Sequence, residues 1–296
     1  MNNETNPKMN LKPVLWFIIL TFGVTYAIQF NQIADGVRFD GENIQYTPTL
    51  WILAIMWIPG LSGLFVAKFI EGKSVRELVP ALALRMGSIG PYFLTYLIAP
   101  LAIFTMYLLT WVLGLSGFDP NMTGLAILAD TEINQATILQ TILPISIFLG
   151  PLMFFVFGLG EEIGWRGFLL PRLMPLGKIR AYIILGIIWG LWHAPIIYVG
   201  FNYPGYPFNG IVMMCLLCIA FGFFINEMTL HYKSSILAAF IHGAVNAQGF
   251  GIWMWMFPDA NPMLGGGTGL TAVAVWAVTG FATVQILSRL RQTQTA

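Results

Sequence analysis

Three polar motifs lie at helical spacing inside otherwise apolar runs: Glu161-Glu162-x-x-x-Arg166, Trp189-x-x-x-His193 and His242-x-x-x-Asn246. A charged side chain at the centre of a membrane helix costs about 2.5–3.5 kcal/mol on insertion scales, so ionisable groups there mark functional sites by default. A carboxylate with an imidazole can take a proton from water, and an imidazole or carboxamide donor can hold a tetrahedral oxyanion. Hydrolysis by activated water is therefore the chemistry these residue types suit.

Helical geometry divides the work between the two glutamates. Residues four apart share a face, so Glu162 and Arg166 form a natural ion pair. Glu161 points about 100° away and is free to face a cavity. His242 and Asn246, also four apart, present an imidazole and a carboxamide side by side. His193 shares a face with Trp189, and its helix should end or bend near Pro195. Each motif also has a plain structural reading: a charge cluster near the membrane surface, a hydrogen-bonded core histidine, or interhelical polar glue. Arg172, Lys178 and Arg180 suit the charge-cluster reading and receive no chemical role. His231 reads as interfacial. Cys215 and Cys218 form C-x-x-C in an apolar run and read as packing residues. Gly243 and Gly249 allow close helix approach.

The elements that must hold these residues follow from composition. The 296 residues are 57% hydrophobic and 9% charged, with a mean hydropathy of +0.75. Soluble domains carry about 25% charged residues, so lipid must solvate this chain. A net charge of +1 gives no reason to expect a nucleic-acid partner. Apolar runs near 13–30, 48–69, 91–115, 140–169, 181–199, 209–229, 235–257 and 268–288 predict about eight transmembrane helices in one all-α polytopic domain over 1–296. The first run reads as a retained helix rather than a cleaved signal, and the final RLRQTQTA carries no lipidation motif. Pro144 and Pro151 should kink the over-long fourth run or start its helix.

Loop charges support that count. With the N-terminus inside, 13 of the 14 Lys and Arg residues fall on inner segments and only Arg38 on an outer one. Both termini are then cytoplasmic. The inner ends of spans four and seven lie on that side, so a catalytic cavity should open toward the cytoplasm or the inner leaflet. His193, about 18 Å from the inner end of its span, sets the cavity's depth.

The three motifs, in this order, resemble the CAAX protease and bacteriocin-processing family (Abi, or type II CAAX endopeptidases) of intramembrane enzymes. The first continues as GEEIGWRGFLLPRL, which is similar to the family's usual extension; Trp189 replaces a more frequent Phe, a change without chemical consequence in this reading. The motifs lie within 148–250. The resemblance implies an eight-helix bundle and an intramembrane glutamic-type endopeptidase acting on membrane-anchored or amphipathic, prenylated or leader-bearing peptides. It implies that Glu161 and His193 activate water, that His242 and Asn246 hold the oxyanion, and that Glu162 and Arg166 support the site. With no eukaryotic targeting signal read in the sequence, a multi-pass protein of a prokaryotic plasma membrane is expected.

Two alternatives use the same scaffold: a non-catalytic bacteriocin self-immunity or membrane-binding protein, and a zinc-dependent protease with Glu161, His193 and His242 as ligands. No cofactor is expected on the glutamate reading. No His-Glu-x-x-His stands on one helix, and no Gly-x-Ser-x-Gly suggests a serine nucleophile. A transporter or proton relay would bring paired half-repeats with broken helices, and the sequence shows none.

Overall fold

The computed structural model of the protein describes residues 9–39, 50–249 and 251–295. Their regular structure is helical throughout. Seven helices among them are long and apolar enough to cross a membrane. These include α1 (Leu11–Ala34), α2 (Leu50–Ile70), α3 (Gly90–Val112) and α4 (Gln135–Leu176). The expected fifth span is instead two pieces, α5 (Lys178–Trp192) and the short α6 (Ala194–Tyr198), joined at His193. Pro195 explains the break, because its ring and missing N–H disfavour an uninterrupted helix. The remaining spans are α7 (Pro207–Tyr232), α8, which opens with Ser235–Gly249, and α9 (Leu270–Thr295). The bundle is all-α and polytopic, as the hydropathy predicts.

Hydrogen bonds identify the two ends of the bundle. At one end Arg172 pairs with Glu71, Lys178 pairs with Glu227, and Arg85 Nε donates to the Lys233 carbonyl at 2.7 Å. At the other end Phe39 N donates to Val199 O at 2.8 Å, Asp119 N to Met256 O at 2.8 Å, and Tyr203 Oη to Thr268 O at 3.0 Å. Successive spans therefore alternate in direction. The first end carries nearly all the Lys and Arg residues. Lys8, counted in the loop-charge reading, lies outside the described residues.

α4 runs for 42 residues and is not uniform. Wide π-type turns at Ile138–Ile142 and Ile145–Leu149 flank Pro144, and Pro151 opens the α-helical stretch Gly150–Glu162. A third wide stretch, Ile163–Leu169, begins immediately after the glutamate pair. Such turns within α-helices often occur at functional sites.

Close approach between helices depends on small residues, as in membranes generally. α8 lies along α4, where a Cβ on Gly243 would stand 2.7 Å from Phe155 N and one on Gly158 would stand 2.8 Å from the Ala239 carbonyl. Gly249, expected to serve the same purpose, has open space around it and borders a cavity instead. α5 meets α7 through Gly190, whose added Cβ would lie 2.6 Å from Cys215 Cα. Both cysteines are free thiols, with Cys218 buried, in keeping with their reading as packing residues. Large apolar side chains such as Ile19, Phe93, Leu97, Leu101, Val278 and Phe281 point outward, where lipid would cover them.

This packing makes a direct prediction for the α5–α7 contact. Gly186→Ala would place a Cβ 2.7 Å from Ile219 Cα, whereas Gly23→Ala meets nothing within 4 Å. Gly186→Ala should lower the thermal midpoint of the detergent-solubilised protein by an amount equivalent to about 1–3 kcal/mol. Gly23→Ala should leave it unchanged, and equal midpoints for both variants would contradict the packing described.

Candidate active site

The glutamate pair divides as helical geometry predicts, and the structure shows what each carboxylate meets. Glu162 is fully buried, and its Oε1 accepts from Arg166 Nη1 at 2.8 Å. The same oxygen also takes His242 Nδ1 at 2.8 Å, across from α4 to α8. Arg166 donates a second bond from Nε to Asn226 Oδ1 on α7, at 3.0 Å. Asn226 escaped the sequence reading, as did the fully buried Glu227 beside it, which accepts from the Tyr182 hydroxyl at 3.0 Å. Their signal was adjacency of two polar residues inside the apolar stretch FFINEMTL.

Glu161 faces elsewhere. Its Oε2 accepts two indole N–H bonds, from Trp165 at 3.0 Å and from Trp189 at 2.8 Å. Oε1 is left for the cavity that Glu161 lines. The role of Trp189 corrects the sequence reading, which gave this residue no chemical consequence. Its N–H holds Glu161, its ring face carries the Arg166 guanidinium 4.2 Å from the ring centroid, and its edge meets the His242 ring at 5.4 Å. Phenylalanine could supply the ring but not the donor. Trp165 stands four residues after Glu161, so this donor was visible in the spacing.

His193 owes its orientation to the end of α5. Its backbone N–H bonds to Gly190 O at 3.1 Å rather than to the Trp189 carbonyl four residues back. The Trp189 carbonyl therefore needs another donor, and His193 Nδ1 lies 2.9 Å from it. A carbonyl only accepts, so the proton sits on Nδ1 and the Nε2 lone pair is available to the cavity. The ring stands edge-on to Trp192 at 4.8 Å.

Glu161, His193, His242 and Asn246 all line one cavity of about 510 Å³. Glu161 and His242 form its deep part at 2% and 5% exposure, whereas His193 and Asn246 are half-buried. Val245, Phe221, Leu217 and Met214 supply apolar wall. No three His, Cys, Asp or Glu side chains among the described residues gather so that they could hold a metal ion. The cavity corrects one expectation. Its lining continues to Asn202, Pro204, Pro262 and Thr268, at the end opposite the Lys- and Arg-rich loops, rather than toward the basic end.

Residues 143–248 match the family model described as type II CAAX prenyl endopeptidase Rce1-like. This segment is similar to the CAAX protease family. A curated relative, the CAAX prenyl protease 2 of Methanococcus maripaludis, is 36% identical over 92 residues, covering 29% of this chain. The match spans about a third (34%) of that relative's length. The family segment holds every residue of the three motifs and also Asn226.

Glu162→Gln tests the buried network. It leaves Arg166 without a carboxylate in full burial, a loss of the kind that costs about 3–5 kcal/mol. Detergent-solubilised Glu162→Gln should unfold at a clearly lower temperature than wild type. An unchanged midpoint would show that the ion pair carries no stability.

Proposed function

We propose that the protein is an intramembrane endopeptidase that hydrolyses peptide bonds of membrane-associated substrates with a water activated by Glu161 and His193. The reading is carried by one observation: a carboxylate, two imidazoles and a carboxamide line a single, otherwise apolar cavity. The similarity of residues 143–248 to the type II CAAX prenyl endopeptidase model supports it.

In this mechanism Glu161 Oε1 takes the proton of a water whose second proton rests on His193 Nε2. The hydroxide adds to the carbonyl carbon of the scissile bond. The oxyanion accepts from Asn246 Nδ2 and from His242 Nε2–H, the imidazolium being paired through Nδ1 with Glu162. Collapse breaks the C–N bond, and the proton held by Glu161 passes to the leaving amine. The charges then balance: Glu161 and Glu162 against Arg166 and His242. The apolar walls of the cavity strengthen each of these interactions.

The substrate of this reading is a membrane-anchored or amphipathic peptide. The protein would sit in a prokaryotic plasma membrane with both termini cytoplasmic, as the loop charges favour. The mechanism uses no metal. Both Nδ1 atoms and Glu161 Oε2 are engaged by protein groups, which orients Glu161 Oε1 and the two Nε2 atoms toward the cavity.

Glu161→Gln should reduce cleavage of membrane peptides to background in protein that remains folded, measured as new peptide termini in membranes. Trp189→Phe keeps the ring and loses the N–H. It should slow turnover about tenfold, equivalent to about 1.4 kcal/mol. Wild-type turnover in folded Glu161→Gln would remove Glu161 as the base and leave a binding protein on this scaffold.

Chelation provides the separate test of the metal-free mechanism. Purified active enzyme should keep its turnover after treatment with a strong zinc chelator, and elemental analysis should find no stoichiometric metal. Loss of turnover on chelation, restored by added zinc, would overturn it.

A further inference from the structure

The cavity has a floor and a mouth. Glu161 and His242 at its floor are buried; His193, Asn246, Asn202, Pro262 and Thr268 are half-buried; Pro204 and Pro258 at its rim are exposed. The exposed Pro204 and Pro258 thus lie in the loops 199–206 and 258–268. No described residue of 66–89, 170–182 or 229–236, at the other end, contributes to the lining.

The two ends differ sharply in charge. Lys68, Lys73, Arg76, Arg85, Arg172, Lys178, Arg180 and Lys233 gather at the closed end. The mouth end has Arg38, whose Nη1 is bonded to the Ile33 and Val37 carbonyls at 3.0 and 2.7 Å. Asp119, Asp130, Glu132 and Asp259 also belong to the mouth end. Lys and Arg near membrane helices collect on the cytoplasmic side. The closed end is then cytoplasmic.

We propose that the cavity opens on the extracytoplasmic face, and that it takes an apolar, uncharged stretch of a membrane-anchored peptide presented from that face. The lining supports the second half. Glu161 is the only Asp, Glu, Lys or Arg among the described lining residues, and the walls are Phe154, Phe201, Met214, Leu217, Phe221 and Trp276. A charged residue beside the scissile bond would be buried there without a partner. A volume of about 510 Å³ admits a short extended segment, not a folded domain. The substrate half rests on the hydrolase reading; the direction of access does not.

The test uses full-length protein with Cys215→Ala and Cys218→Ala, carrying either Thr268→Cys at the mouth or Arg76→Cys at the closed end. A membrane-impermeant maleimide is applied to intact cells, then after permeabilisation. Thr268→Cys should label in intact cells and Arg76→Cys only after permeabilisation, and Glu161→Gln should not change this pattern. Labelling of Arg76→Cys in intact cells, or of Thr268→Cys only after permeabilisation, overturns the direction of access whether or not the protein is a protease. For the substrate, one apolar segment is fused on either side of a single membrane anchor. Wild type should cleave it on the extracytoplasmic side alone. Cleavage on the cytoplasmic side alone, or on neither, overturns the substrate assignment, while the labelling still decides access.

Discussion

One carboxylate oxygen, Glu162 Oε1, accepts from both Arg166 Nη1 and His242 Nδ1 in complete burial. Buried charges are tolerable only when paired and hydrogen-bonded, so this contact fixes how α4 and α8 must meet. Two long polar side chains can share one oxygen only if their backbones come close. Gly158 and Gly243 provide that approach, and a Cβ at either would collide with backbone across the interface. The small residues along this seam and the charged network at its centre are therefore one design: neither would be stable in the membrane without the other.

The second carboxylate is held differently, although it is adjacent in sequence. Glu161 Oε2 receives two indole N–H groups and no cation. Indoles donate but cannot accept or carry charge, so they orient the carboxylate without neutralising it. Arg166 instead lies over the face of Trp189. Trp189 thus separates the guanidinium from Glu161 while touching both. This arrangement lets two neighbouring glutamates remain chemically distinct: one balanced by fixed charge, the other oriented toward a cavity.

Much of this was legible in the sequence, because period and spacing are local properties. Apolar runs gave the spans, the four-residue spacing gave Glu162–Arg166, and the motifs named the four side chains that line the cavity. The contributions of Asn226 and Trp189 were not legible, because both act across helix contacts that hydropathy does not encode. The same is true of the Glu162–His242 bond, which joins residues 80 positions apart. The break at His193 was legible only as a proline two residues later, and its result is that the expected fifth span is a helix and a short separate turn of helix.

That break also explains why the direction of the cavity could not be read from depth. Counting residues from the basic end placed Glu161 and His242 nearer that end and suggested access from there. Distance along a helix does not say which side of a side chain is filled. Non-helical backbone at membrane depth is tolerated where it lines a cavity or is buried in protein. α5 stops at Trp192, His193 caps the freed Trp189 carbonyl with its own ring, and α6 carries the chain on into the loop at 199–206. The interrupted helix leaves room beyond His193, and that room belongs to the end the chain is heading toward. On the near side, Trp165 and Phe168 are fully buried and close the floor against Phe17 of α1. The same histidine therefore presents a lone pair to the site and marks the side from which the site is reached.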